Sequence, residues 1–144
     1  MGRLPDAIAE LEQMLVMSRE AGDRFAEARA LVDMSLAHWL CFSSEHVPHT
    51  KSLAEEALRI GREIGDEESV AKSLSYIGLI HQMEGDLVKG DEKLEESLRI
   101  SEAHGFKEAI ARFPDVTLVA EVNGQGVRDR GRVAHDWNSG ASAQ

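Results

Sequence analysis

The sequence predicts an all-α domain of antiparallel helical hairpins stacked one on the next, and three observations lead there. First, the chain repeats itself. LAEEALRI at 53–60 returns as KLEESLRI at 93–100, with Glu55/Glu95, Glu56/Glu96, Leu58/Leu98, Arg59/Arg99 and Ile60/Ile100 in register. Each copy runs on to a glycine, Gly65 and Gly105, and an earlier stop stands at Gly22, giving spacings of 43 and 40 residues. Self-similarity at that period marks a stack of supersecondary units. Second, Val70, Leu74, Ile77 and Ile80 recur at three- and four-residue spacing, the apolar stripe of a helix. Third, 42% of the residues are hydrophobic but only 5% aromatic. A core of Leu, Ile, Val, Ala and Met suits helices packing on helices.

The elements follow in order. Residues 4–21 align without gaps to the third unit, with Gly2 on Gly85, Leu4 on Leu87, Leu11 on Leu94 and Leu15 on Leu98. They therefore read as the second helix of a hairpin whose first helix is missing. This orphan helix keeps an apolar flank of Ile8, Leu11, Met14 and Leu15, which points to a fragment of a longer array, or to self-association that covers the flank. A first hairpin over 24–64 comprises a helix at 24–41, an extended turn at 42–47 and a helix at 48–64 with Pro48 in its first turn. A second hairpin over 67–104 has its first helix at 68–83. There EGD breaks the chain, because Gly85 tolerates a left-handed turn and Asp86 caps the next start. The last helix carries its stripe at Leu87, Leu94, Leu98 and Ser101. Gly78 and Gly90 face each other across this hairpin and let the two backbones approach closely. FKEAIARF then begins like another first helix, and Pro114 stops it. Residues 1–114 form the repeat domain in this reading. Residues 115–144, with one β-type run from Val116 to Val122, form an irregular, poorly structured tail.

With these residues in place the chain resembles the tetratricopeptide-repeat family, in its long-period form of bacterial signalling ATPases, cyclases and transcriptional regulators. With Ala71 as the first repeat position, Leu74, Ile77, Gly78, His81, Gly90, Leu94 and Ser97 fall on the signature sites. Leu31, Met34, Ser35, His38, Thr50, Ala54 and Ala57 occupy them in the preceding unit. The family's usual aromatics are absent, and Ser97 and Glu102 replace its Ala and Pro. The resemblance implies a short right-handed solenoid whose first helices line a concave, partner-binding groove. Its groove positions fall on Arg29, Val32, Asp33, Leu36, Trp39 and Leu40, and on Lys72, Ser75, Tyr76, Leu79, Gln82 and Met83. Aromatic and aliphatic anchors beside a few polar contacts are what a peptide groove needs. Trp39 has a second reading, as packing for the neighbouring hairpin.

Charge and chemistry narrow the function. A formal net charge of −10 argues against nucleic acid, whose phosphates are bound by clustered Lys and Arg, and against anionic membranes. It attracts basic segments at long range. There is no run of eighteen apolar residues and no signal-peptide block at the N-terminus, so the expected location is cytoplasmic. The single cysteine rules out an internal disulfide framework. His38, Cys41, His46 and His49 cluster in SLAHWLCFSSEHVPHT, but His-x2-Cys-x4-His-x2-His matches no familiar zinc module. His38 falls where His81 falls in the next unit, which makes it a packing residue. His46 and His49 then belong to the extended turn and the first helical turn, and Cys41 is a small buried hydrophobe. Glu55–Glu56 and Glu95–Glu96 are adjacent in sequence, point in different directions, and read as a solvated acidic face. NGQG near the C-terminus lacks the strand–loop–helix context of a phosphate loop.

The sequence thus points to a non-catalytic module that binds a protein or peptide, as part of a larger signalling or regulatory protein, with no cofactor and no metal. The alternative is a self-association module with no separate ligand. A zinc-dependent regulator using residues 38–49 comes third, and an enzyme last.

Overall fold

A computed structural model gives the architecture and describes residues 3–41 and 43–106. Five helices follow in chain order: α1 (Arg3–Ala21), α2 (Arg24–Cys41), α3 (His46–Ile64), α4 (Glu67–Met83) and α5 (Leu87–His104). They are antiparallel, and each packs on the next. In addition α2 touches α4 across α3, so the first helices of the two hairpins lie side by side. The expectations for residues 107–144, including the stop at Pro114 and the tail, lie outside the described residues. Among the described residues no helix is long and apolar enough to cross a membrane.

A Gly-Asp dipeptide ends one helix and starts the next at three of the four turns. At Gly65 the backbone is left-handed, φ 72°, and the following Asp66 N–H donates back to Gly61 O at 2.9 Å. That six-to-one bond satisfies one of the carbonyls a helix end leaves open. The same bond joins Asp23 to Ser18 and Asp86 to His81. Each aspartate then turns its carboxylate on the new helix: Asp23 accepts from Ala26 N at 3.0 Å and Asp86 from Lys89 N at 3.2 Å. The cap expected at Asp86 is therefore formed.

The turn between α2 and α3 departs from expectation. α3 begins at His46, two residues before the predicted start, so the turn is shorter than 42–47. Proline is tolerated throughout a first helical turn, where N–H groups have no intrahelical acceptor. Pro48 therefore sits at the third helical position, and Thr50 Oγ1 already donates to His46 O at 3.0 Å.

The core follows the repeat. Leu31, Met34, Ser35, Thr50, Ala54 and Ala57 are buried in the first hairpin. Their counterparts Leu74, Ile77, Gly78, Gly90, Leu94 and Ser97 are buried in the second. His38 and His81, the remaining equivalent pair, are half-buried. Gly78 and Gly90 meet as the sequence predicts. A Cβ on Gly78 would stand 3.0 Å from Gly90 O, and one on Gly90 would stand 2.9 Å from Gly78 O. The two helices are also tied by Ser97 Oγ, which donates to Ala71 O at 2.6 Å.

α1 is only partly covered. Leu15 is buried and Leu11 packs on the core, whereas Met14, Val16 and Met17 are exposed, Met17 most of all at 67%. Thus Leu15 leaves the flank that the sequence had left open and joins the core with α2. The buried Glu27 carboxylate on α2 strengthens this contact by accepting from Arg19 of α1 and from Arg24, both at 3.0 Å.

Candidate partner-binding surface

The proposed groove positions lie on α2 and α4, the two helices in contact across α3. Helical spacing puts them on one stripe of each helix, and the structure divides them by accessibility. Val32, Ser75, Tyr76, Leu79 and Gln82 are buried. Arg29, Leu36, Trp39, Lys72 and Met83 are half-buried, and Asp33 and Leu40 are exposed, Leu40 at 57%. A docking segment would first meet Asp33, Leu36, Trp39 and Leu40 on α2, with Lys72 and Met83 on α4.

Several of these side chains already have work within the fold. Arg29 grips Asp66 through a two-pronged contact, Nε to Oδ2 at 3.0 Å and a terminal nitrogen to Oδ1 at 3.1 Å. It also reaches Glu68 at 2.9 Å, and its guanidinium lies 4.8 Å from the Phe25 ring centroid, a cation–π contact. Lys72 pairs with Glu68 at 2.9 Å. Gln82 Nε2 donates to Asp91 Oδ1 of α5 at 2.8 Å, and Ser75 Oγ to Lys72 O at 2.7 Å.

Electrostatically this belt is self-consistent. Burial pushes the Asp66 carboxyl up, but hydrogen bonds from Ser69 and Arg29 outweigh it and hold the pKa below the ordinary carboxylate range. Lys72, with Arg29 behind it, holds Glu68 low against its own desolvation. Arg29, read from sequence as a polar contact for a partner, is therefore first of all a tie between α2 and the start of α4, and Lys72 supports it from within α4 by pairing with Glu68.

Trp39 takes the packing role of its second reading. It packs against the larger cluster, which runs from α1 to α4, and against the smaller one formed by Leu79, Leu94 and Leu98. It is half-buried, so it is a bridge between hairpins with an edge left in solvent.

The histidine cluster is tighter than the sequence suggests. His38 Nδ1 stands 2.8 Å from His46 Nδ1, and the His38 and His49 ring centroids are 5.5 Å apart. His46 is thus a partner of His38 and a helical residue, where the sequence placed it in a loop. Cys41, the candidate small hydrophobe, is half-buried. Among the described residues no three His, Cys, Asp or Glu side chains form a group that could hold a metal ion.

No family model matches the chain, and no curated protein matches it.

The Arg29–Asp66–Glu68–Lys72 belt and the His38–His46 pair are what sequence reasoning missed here. The Gly65-Asp66 dipeptide was a readable signal for a capping aspartate, parallel to Gly85-Asp86. Nothing local signalled that Arg29 would reach it from 37 residues away.

Proposed function

We propose that this chain is a helical-repeat binding module that resembles tetratricopeptide repeats and takes a protein or peptide segment along α2 and α4. The observation that carries the reading is the contact of α2 with α4 across α3. It sets equivalent helices of successive units side by side, the arrangement from which a right-handed solenoid and its concave face are built. Burial of the same signature positions in both hairpins supports it. The partner is a segment with an apolar anchor for Leu36, Trp39 and Leu40, flanked by basic residues that a chain of net charge −10 attracts. The module is non-catalytic in this reading and serves a larger signalling or regulatory protein in the cytoplasm.

A second reading, self-association, is favoured by the exposed Met14, Val16 and Met17 on α1. Panning a random displayed-peptide library on the immobilised full chain separates the two. The binding reading expects basic, apolar-anchored peptides whose affinity falls about tenfold or more in Leu40→Asp, the loss of one good apolar anchor. Failure to recover such peptides, together with a dimer or larger species in light scattering, would favour self-association.

A further inference from the structure

Three imidazoles meet where α2 ends and α3 begins. His38 lies in the last turn of α2 and His46 opens α3. Two ring nitrogens 2.8 Å apart hold a single proton between them, one ring donating N–H and the other accepting with its lone pair. A second proton removes the acceptor and sets two N–H groups against each other. The spacing also favours a proton over a metal: imidazoles sharing a tetrahedral zinc at about 2.0–2.1 Å stand roughly 3.3 Å apart.

We propose that the His38–His46 pair is a pH-sensitive latch on the α2–α3 junction, closed by one shared proton and opened when both rings become protonated.

The surroundings are arranged for opening. Burial first, then the neighbouring His46 and His49 of α3, push His38 below the ordinary imidazole pKa, while Glu12 of α1 acts in the opposite sense. Among the described residues, the titratable groups that shift His38 lie on α1 and α3. His46 and His49 sit in the first turn of α3, where the positive end of the helix opposes cationic side chains. No side chain caps this helix start, in contrast to α4 and α5. Because His38 is depressed in the folded state, the unfolded state binds more protons as the pH falls. The latch's contribution is therefore complete above the unfolded imidazole value, about 6.5, and is lost as the pH falls below it. His81, the repeat equivalent of His38, faces Glu84 at 3.8 Å instead of another imidazole. It serves as the internal control.

The test is amide hydrogen exchange and histidine NMR on the full chain, in chelator, between pH 7.5 and pH 5. After correction for intrinsic exchange, amides around 38–41 and 46–50 are expected to lose about tenfold protection, the effect of one proton over about one pH unit. His81→Gln keeps this loss and His46→Gln reduces it to the part that burial of His38 alone supports. Protection that does not change with pH in the native chain, or a pH response retained in full in His46→Gln, overturns the latch. So does stoichiometric perturbation of both rings by added zinc in the absence of chelator, which makes the pair a metal site.

Discussion

Gly90→Ala is expected to destabilise the domain by about 2 kcal/mol, although alanine is the better helix former by about 1 kcal/mol. The new Cβ would stand 2.5 Å from Gln82 Cγ and 2.9 Å from Gly78 O. The first of these atoms belongs to a buried side chain held by Asp91, and the second is backbone. Relief requires α5 to move off α4, which stretches the Ser97–Ala71 hydrogen bond and loosens Leu94, 1% exposed, in its seat. For a domain of this size the melting temperature should drop by roughly 8–16 °C. Gly78→Ala attacks the same gap from the other side, so the double variant should cost less than the sum of the two. Glu95→Ala, on the exposed face of α5, should stay within about 0.5 kcal/mol of the parent. Thermal unfolding followed by circular dichroism reads all four. A Gly90→Ala protein that melts higher than the parent would mean that helix propensity, and no close approach, governs this position.

Asp66→Ala should cost a similar amount, about 2–3 kcal/mol, by a different route. The carboxylate takes Ser69 Oγ at 2.6 Å and the two-pronged Arg29 contact, and it faces the first turn of α4. Its removal leaves the buried Ser69 hydroxyl without this partner and takes away a helix cap worth about 1 kcal/mol. Arg29 loses its best partner but keeps Glu68 and partial exposure, so the penalty is below the 3–5 kcal/mol of a fully buried broken pair. Asp66→Asn keeps the shape and some of the capping, and should fall between. The sign with pH follows from the depressed carboxyl: the contribution is complete above the ordinary carboxylate value, about 4, and disappears as the pH falls below it. Urea unfolding at pH 7 and pH 3 should show a smaller acid-induced loss in Asp66→Asn than in the parent. An equal loss in both would place the acid sensitivity elsewhere.

Features that depend on local chemistry were legible in the sequence. The glycine stops, the Asp86 cap, the ends of α2, α4 and α5 and the Gly78–Gly90 contact all rest on conformational rules that act within a few residues or at repeat-equivalent positions. The start of α3 was misplaced because Pro48 marks a first turn without saying which of its positions it occupies. The Arg29–Asp66 tie was not legible, since an arginine on a helix surface has many acidic residues within reach in a chain this acidic. The repeat alignment also obscured the histidine pair. It made His38 a packing residue, which the structure half-buries, but it compared His38 with His81 and so drew attention away from His46 across the turn. The groove assignment placed its positions on two touching helices but carried no information on which of them the fold itself would bury. Tyr76 and Leu79 are core residues, whereas Leu36 and Leu40 keep access to solvent.

The central claim, that a partner segment lies along α2 and α4, is tested most directly by mapping amide chemical shifts of the full chain as a panned peptide is added. The expected result is a contiguous set of perturbations at Asp33, Leu36, Trp39 and Leu40, joined by Lys72 and Met83, with α1 and the outer faces of α3 and α5 unchanged. Perturbations centred on Met14 and Met17 of α1, with residues 33–40 silent, would contradict it and move the binding surface to the end of the stack.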